Sequence, residues 1–303
     1  MRISLIHILS SIAALSLGTA AYAVEPGSEA LPFIRFERGL AESSLAGAGI
    51  ASSSNMAYAS FGNPAAIPFS KKKLDFEGSW LKWMPETFPT DYYSFAGTYN
   101  SGKFGLTLGF SSGKAGEKVS GTSFTPSDLQ VNGGGAYRIT DFLSVGANIR
   151  YASSKVLEDN SFSAIGGDVF VTGQYKGLNV ALGVRSIGAG IKDGSGTSFS
   201  LPTSIAFGLA YAYDFAEVHS IEGDLDADWW LSGALSAAVG VQYAYNDMVF
   251  VRAGARYGGK SIIPDYASAG IGVKFYGVKL GLSYLFGSDL LKNSMVIGLG
   301  YCF

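Results

Sequence analysis

Residues 104–110 read FGLTLGF, and this short stretch shows the pattern that decides the fold. Large apolar side chains stand at every second position, with glycine or threonine between them. Successive side chains of a β-strand point to opposite faces of its sheet, so the alternation predicts a strand with one apolar face and one face of small residues. The pattern recurs in residues 205–211, IAFGLAY, and in residues 295–303, MVIGLGYCF. We therefore predict an all-β protein.

The alternation continues from residue 73 to the end of the chain, in segments of about ten residues. A tilted strand of that length crosses the hydrocarbon core of a bilayer, and an even number of such strands can close into an antiparallel barrel. Hydrophobic residues make up 48% of the chain and charged residues only 15%, so something other than water must cover part of the surface. We predict a closed antiparallel transmembrane β-barrel of about fourteen strands, near residues 73–84, 91–100, 103–112, 127–139, 142–153, 162–175, 178–187, 202–213, 217–228, 233–245, 248–258, 266–275, 278–286 and 293–303.

Short and long connections alternate between these predicted strands. The short ones are residues 100–102, 140–141, 176–177, 214–216, 246–247 and 276–277. Outer-membrane barrels keep short turns on the periplasmic side and longer loops outside. We therefore expect the protein in the bacterial outer membrane, with both termini in the periplasm. A soluble β-sandwich is the alternative, but one face of nearly every strand carries small or charged residues that could not fill a soluble core.

Residues 1–23 have the features of a signal peptide. Arg2 precedes an apolar run over residues 3–17, and the stretch ends in Ala21-Tyr22-Ala23, the small-x-small pattern that signal peptidase accepts. We expect cleavage before Val24. An N-terminal anchor helix is the alternative, although the apolar run is short for a membrane span.

Residues 24–72 break the strand pattern and are rich in small side chains. Residues 44–51 read SLAGAGIA, for example, and no period of two persists. Small side chains let one backbone pack closely against another, so we predict that this segment folds into the lumen as a plug of the barrel formed by residues 73–303. The single cysteine, Cys302, allows no internal disulfide.

Four carboxylates stand on one face of a predicted strand, at Glu222, Asp224, Asp226 and Asp228. Two strands further on, Arg252 and Arg256 point the same way, and the strand between them offers only small residues on that face. We predict a charge ladder in the lumen, in which the arginines reach across to the acids, because charges are costly on the lipid face. A Ca²⁺ site is the alternative, although the glycine and closing glutamate of an EF-hand loop are missing.

The sequence offers little for catalysis. His219 is the one histidine beyond the predicted signal peptide, and it falls near a short turn on the outward face. No phosphate-binding or dinucleotide-binding motif is present, and a net charge of −2 without a basic stripe does not favour nucleic acid as a partner. We expect a protein that is not an enzyme and needs no cofactor or metal.

The N-terminal stretch resembles the start of FadL-like outer-membrane barrels and, within them, the PorV/PorQ group of Bacteroidetes proteins. The resemblance rests on Phe33 and Arg35, the turn at Gly47-Ala48-Gly49, the spacing to Ala57 and Ala59, and Asn63-Pro64-Ala65 before the first strand. It implies a fourteen-stranded barrel with an N-terminal plug shaped by Asn63, Pro64 and Ala65. Relatives include channels for hydrophobic compounds, and PorV, which handles cargo proteins in type IX secretion.

Three classes of function follow from these observations. The first is a barrel for protein export or cargo docking, with secretion-system subunits or cargo proteins as partners besides outer-membrane lipid. The second is a FadL-like passive channel for a hydrophobic solute, and the third, an outer-membrane enzyme, lacks a catalytic cluster. The charged lumen and short loops favour docking over a greasy tunnel, because an apolar ligand would have to pass ionised groups.

Overall fold

Fourteen antiparallel strands form one closed barrel in the computed structural model, which confirms the predicted fold. The structure describes residues 29–86, 88–116, 123–158, 160–192, 198–258 and 263–303, so the predicted signal peptide lies outside the described residues. The strands of the barrel are β1 (Leu74–Trp83), β2 (Thr90–Asn100), β3 (Phe104–Ala115), β4 (Ser127–Thr140), β5 (Leu143–Leu157), β6 (Asn160–Tyr175), β7 (Leu178–Gly188), β10 (Ser204–Phe215), β11 (His219–Trp230), β12 (Leu235–Tyr245), β13 (Val249–Tyr257), β14 (Tyr266–Phe275), β15 (Val278–Phe286) and β16 (Met295–Cys302). Between β7 and β10, the short strands β8 (Ile191–Lys192) and β9 (Ser198–Phe199) form a separate ribbon.

The barrel closes where its first strand pairs with its last. Phe76 on β1 lies opposite Tyr301 on β16, and the remaining pairs join strands that follow each other around the barrel. Because chain neighbours are also spatial neighbours, the local alternation of side chains is enough to set both faces of each strand. The largest differences from the predicted bounds are at β3 and β5, which run on to Ala115 and Leu157.

The short connections lie together at one end of the barrel, which we call the turn end. Lys176 and Gly177 have φ of 48° and 83°, and Tyr276 and Gly277 have φ of 47° and 82°. Two successive residues with positive φ form the tight turn whose twist matches that of paired strands. The opposite end, which carries the longer connections, is the loop end.

The described chain begins and ends at opposite ends of the barrel. Phe303 lies at the turn end, where its carbonyl oxygen accepts the N–H of Leu74 at 2.9 Å. The N–H of Ala30 donates to the carbonyl oxygen of Ser200 at the loop end, at 2.8 Å. The chain descends through the barrel before β1 begins. Residues 1–28 lie outside the described residues, so the expectation that both termini lie in the periplasm stays a prediction.

The two faces of the barrel wall differ sharply in chemistry. On β3, Leu106 and Leu108 are 59% and 72% exposed, whereas Thr107 and Ser111 are each 2% exposed. The same contrast of exposed apolar and buried small or polar residues runs around the whole wall. So much exposed apolar surface is unfavourable in water and is typical of a barrel whose outer face contacts lipid.

Residues 29–72, which we call the inner segment, lie against the inward-facing side chains of the barrel. The segment contains 3₁₀ helices at Pro32–Arg35, Ala59–Phe61 and Pro64–Phe69 and an α-helix at Leu40–Ser44. In the part of the chain that the structure describes, no helix is both long and apolar enough to cross a membrane.

An apolar core lies at the loop end, between the start of the inner segment and the loops. Phe33 and Ile34 are buried there with Leu201, Tyr266 and Leu291. The core holds the beginning of the inner segment at the loop end, above the polar interior of the barrel.

Candidate functional site

The interface between the inner segment and the barrel wall is the candidate functional site, and glycines open the space for it. A Cβ atom added to Gly254 would lie 2.2 Å from the carbonyl carbon of Leu45, and one added to Gly146 would lie 2.6 Å from the amide nitrogen of Ala65. Both distances are shorter than any van der Waals contact, so only glycine permits these approaches. The small residues on the inward face therefore bring two backbones together.

Asp226 on β11 holds the turn of the inner segment that contains Gly49. Its Oδ2 atom accepts the backbone N–H groups of Gly49 and Ile50 at 2.7 and 2.8 Å. The side chain points inward and Asp226 is only 2% exposed, in agreement with the predicted alternation. Two backbone N–H groups donate to one buried carboxyl oxygen, so Asp226 is an anchor for this turn.

Glu222 fastens the next residues of the same turn. One carboxylate oxygen accepts the hydroxyl of Ser52 at 2.6 Å, and the other accepts the hydroxyl of Ser54. Across the turn, the side chain of Asn179 on β7 donates to the carbonyl oxygen of Ala51 at 3.0 Å. Residues 49–54 are therefore held by β11 and β7, the two strands that flank β10.

Asn63 organises the end of the inner segment, where the sequence resemblance placed a plug motif. Its amide nitrogen donates to the carbonyl oxygen of Ile50 and to the hydroxyl of Thr172 on β6, each at 2.8 Å. Its side-chain oxygen accepts the N–H of Ala65 at 2.8 Å and so caps the 3₁₀ helix that begins at Pro64. One asparagine thus links two parts of the inner segment to the wall.

The two glycines of the predicted motif adopt backbone conformations that favour glycine. Gly47 has φ of 84° and Gly49 has φ of 125°. A Cβ atom at Gly47 would also lie 2.7 Å from a guanidinium nitrogen of Arg256. Gly47 therefore brings the inner segment next to a charged residue of the wall.

The arginines of the predicted charge ladder face inward, but their contacts are not with the acids of β11. The Nε atom of Arg252 donates to Gln242 at 2.6 Å, and Arg256 donates to the hydroxyl of Ser236 at 3.3 Å. Among the described residues, neither arginine forms an ion pair with those acids, and the Asp224 carboxylate has no hydrogen-bond partner. The inner segment lies beside β11, and its N–H and O–H groups take up Glu222 and Asp226.

Other ion pairs connect strands inside the barrel. Arg150 on β5 donates to Asp168 on β6 at 2.8 Å and to the hydroxyl of Ser186 at 2.8 Å. Arg185 on β7 lies 3.6 Å from Asp228, the fourth acid of the predicted ladder. Asp228 therefore pairs with Arg185 across β10. The prediction had instead paired the acids with Arg252 and Arg256, which lie across β12.

Two small cavities lie inside the barrel among the described residues. One of about 50 Å³ is lined by inner-segment residues that include Glu37, Arg38 and Glu42, together with Arg185 of the wall. A second, of about 10 Å³, adjoins Arg35 and Trp230. Neither cavity is large enough for an organic solute without movement of the inner segment.

Several residues of this site were not selected from the sequence. Ser52, Ser54 and Asn179 make the contacts described above, and Asn148 donates to the carbonyl oxygen of Gly62 at 3.0 Å. Serines and asparagines are ordinary residues of loops and inward barrel faces, so nothing marks them individually. For Asn148 and Asn179, the alternation of side chains along β5 and β7 does indicate that they point into the barrel.

The site carries no group arranged for catalysis. His219 lies on the wall near the turn end, where its Nδ1 atom is 2.6 Å from the hydroxyl of Tyr243 and its ring stacks on Phe215. Among the described residues, no cluster of three or more His, Cys, Asp or Glu side chains could hold a metal ion. The arrangement holds a segment of the chain against the barrel wall.

Known structures similar to this chain are outer-membrane transporters and channels. The toluene transporter TodX of P. putida matches with a TM-score of 0.62 and 14% identity, over 88% of this chain and 98% of that one. The toluene transporter TbuX of Ralstonia pickettii gives 0.59 and 14% over the same shares, and the monoaromatic hydrocarbon channel CymD gives 0.63 and 15% over 88% and 97%. At such low identity these similarities show the fold alone, a barrel shared with the hydrocarbon transporters and channel named above. These neighbours are transport proteins, not enzymes.

No family model matches the chain, and no curated protein matches it in sequence. These comparisons support the barrel fold but not the PorV/PorQ group. The similarity to that group therefore stays a resemblance of the N-terminal sequence.

Proposed function

We propose that this protein is a passive channel for a small hydrophobic solute in the bacterial outer membrane, with the inner segment as its plug. The observation that carries the proposal is the match of nearly the whole barrel to hydrocarbon transporters, with 97–98% of each neighbour covered. TodX and TbuX are described as toluene transporters and CymD as a monoaromatic hydrocarbon channel. A small aromatic or aliphatic hydrocarbon is therefore the first solute to test.

The polar interior requires that the plug move during transport. The buried carboxylates and arginines would be costly neighbours for an apolar solute, and the cavities of about 10 and 50 Å³ are too small to hold one. Residues 49–54 are held to the wall by polar contacts with Asp226 and Glu222 and by the packing of Ile50 and Ala51 against apolar residues of β6, β7 and β10. Their release would open a path without unfolding the barrel.

From the sequence alone, protein docking of the PorV/PorQ kind is the favoured function, with a hydrophobic channel as the alternative. The structural neighbours support the alternative better, because the proteins named above transport solutes. The charged lumen that argued against a channel belongs, on this proposal, to the closed state.

A reversible crosslink between the plug and the wall tests the proposal. A Cβ atom at Gly240 would lie 3.3 Å from the Cβ atom of Ala48, close to the separation of about 3.8 Å in disulfides. The double variant Ala48→Cys, Gly240→Cys is made with Cys302→Ala and reconstituted in liposomes. We expect uptake of toluene to be slow after oxidation and restored by a reducing agent.

The two single-cysteine variants are the controls, because they carry the same steric change but cannot form the crosslink. Equal uptake before and after reduction of the double variant would contradict a moving plug. If liposomes that contain the wild-type protein took up toluene no faster than protein-free liposomes, the proposed channel function would be contradicted.

A further inference from the structure

The smaller of the two interior cavities, about 10 Å³ in volume, is lined mainly by arginines. A water molecule needs roughly 10–15 Å³ of such space, so the cavity has room for one water molecule or one monatomic ion. Four guanidinium groups from different parts of the chain meet there. They belong to Arg35 of the inner segment, Arg150 on β5, Arg185 on β7 and Arg256 on β13.

These arginines bring more hydrogen-bond donors to the cavity than the protein supplies acceptors. A guanidinium group carries only donors, and the buried Nε atoms of Arg35, Arg150 and Arg256 have no acceptor among the described residues. Ser186, the one hydroxyl in the described lining, already accepts a hydrogen bond from Arg150 at 2.8 Å. A water molecule would add two more donors, whereas a halide ion only accepts hydrogen bonds. The lining therefore favours an anion.

The charge of Arg256 is the one that no acid neutralises by direct contact. The other three arginines have acid partners outside the cavity lining, namely Glu29 for Arg35, Asp168 for Arg150 and Asp228 for Arg185. Arg256 is only 8% exposed and donates to the hydroxyl of Ser236 at 3.3 Å. A buried charge without a counter-charge is costly, and an anion in the cavity would supply one.

Glu37 is the one acid in the described lining of this cavity. Its Oε1 atom and a guanidinium nitrogen of Arg256 both lie within 3.2 Å of the position that a Cβ atom at Gly47 would take. In the described structure Glu37 nevertheless forms no ion pair with the four arginines, whose pairs are those given above. Its presence also leaves the three Nε–H groups without an acceptor, so Glu37 does not fulfil the role of the anion.

We propose that this cavity is a binding site for one halide ion, with chloride as its occupant. Arg35 belongs to the inner segment and the other three arginines belong to the wall, so one ion ties the segment to β5, β7 and β13. Bound chloride thereby stabilises the packing of the inner segment against the wall. The site goes beyond the proposed transport of a solute and does not depend on it.

Bromide resembles chloride and scatters X-rays anomalously, so it locates the site directly. Crystals of the full-length protein grown in bromide should show an anomalous peak in the cavity, within hydrogen-bond distance of the guanidinium groups. Arg256→Gln should abolish this peak, because it removes the unpaired charge. Ser236 keeps the indole N–H of Trp230 as a donor in that variant, at 2.9 Å. A wild-type crystal without a peak in the cavity would overturn the site.

Unfolding by urea in detergent micelles measures binding in solution. Sodium chloride is compared with sodium gluconate at equal ionic strength, because gluconate is too large for the cavity. A ligand that binds only the folded state stabilises it by mass action, so above the dissociation constant each tenfold rise in chloride should raise the folding equilibrium constant about tenfold. Gluconate should have no such effect, and Arg256→Gln should lose the response to chloride.

Arg252→Gln is the matched control for Arg256→Gln. Arg252 is also a buried arginine of β13 that points inward, but it donates to Gln242 and does not line this cavity. The control should respond to chloride as the wild type does. An equal response of the wild type and Arg256→Gln would overturn the site, because chloride would then act elsewhere on the protein.

Glu37→Gln distinguishes a bound anion from a water molecule between Glu37 and the arginines. If an anion occupies the cavity, removal of the nearby negative charge should lower the chloride concentration needed for half of the stabilisation. A loss of stability that chloride does not restore would show that Glu37 itself balances Arg256, and would overturn the site. None of these measurements involves uptake, so their failure would leave the proposed channel intact.

Discussion

Asp226 shows how a single residue can hold the inner segment. Its carboxylate is buried and accepts two backbone N–H groups from the Gly49 turn. The wall thereby fixes a segment that has little regular structure of its own.

Asp226→Asn should therefore loosen the inner segment. The amide oxygen of an asparagine can still accept the two hydrogen bonds, but its NH₂ group would replace a buried oxygen that has no partner, and an unpaired buried donor costs about 1–3 kcal/mol. We expect the free energy of unfolding in detergent to fall by about 1–2 kcal/mol. Asp214→Asn at the exposed turn is the control and should change it little. Equal losses from both substitutions would argue against an anchor at Asp226.

At the scale of elements, the helix at Leu40–Ser44 and the turn after it depend on glycines in β13–β16. Gly254, Gly270, Gly281 and Gly298 all lie where a Cβ atom would collide with this part of the inner segment. A strand rich in glycine is weakened by entropy, so these residues favour contact with the inner segment over the stability of the strands themselves.

Gly254→Ala should displace the inner segment from β13. The new Cβ atom would lie 2.2 Å from the carbonyl carbon of Leu45, and overpacking of this kind typically costs about 1–3 kcal/mol. We expect faster proteolysis within residues 29–72 while the barrel still resists protease. Gly223→Ala, on the outer face, should leave proteolysis unchanged. Unaltered proteolysis in Gly254→Ala would mean that the backbones do not approach as described.

At the scale of the whole molecule, the barrel depends on the seam between β1 and β16. Lys279 on β15 reaches over β16 to β1, where its Nζ atom pairs with Asp75 and lies 3.4 Å from Glu77. Glu77 in turn accepts the N–H of Leu40 in the inner segment at 2.8 Å. One lysine thus connects three strands and, through Glu77, the inner segment.

Lys279→Ala should lower the temperature at which the barrel opens. Its removal leaves buried carboxylates with fewer partners, a change that costs about 3–5 kcal/mol in buried pairs. Heat-modified migration on gels, which distinguishes folded from unfolded barrels, should shift by several degrees. Lys274→Ala is the matched control, since Lys274 lies opposite Lys279 but pairs with the exposed Asp247. An equal shift in the control would show that the seam contributes no more to stability than the ion pair of Lys274 with Asp247.

Much of the barrel could be predicted because its cause is local. Residues 266–275 and 278–286 were predicted as strands with the bounds that the structure has, and the Tyr276-Gly277 turn lies between them. Side-chain alternation and turn residues act over a few positions, so they can be read without knowledge of distant contacts. The same rule placed Glu222, Asp224, Asp226 and Asp228 on the inner face, where all four are buried.

The partners of those inward residues could not be predicted in the same way. Asp226 binds Gly49, 177 residues away in the chain, and the inner segment has no period from which its position could be derived. Arg252 was expected to reach the acids, but it donates to Gln242 because the inner segment occupies the space beside β11.

The sequence by itself thus determined the strands, their two faces and the alternation of tight and long connections, because these follow from the period of a β-strand and from turn geometry. Only the tertiary structure decided which charges pair, where the inner segment lies and which glycines of the wall it approaches. Such features depend on groups that are far apart in the chain and meet only after the barrel has closed.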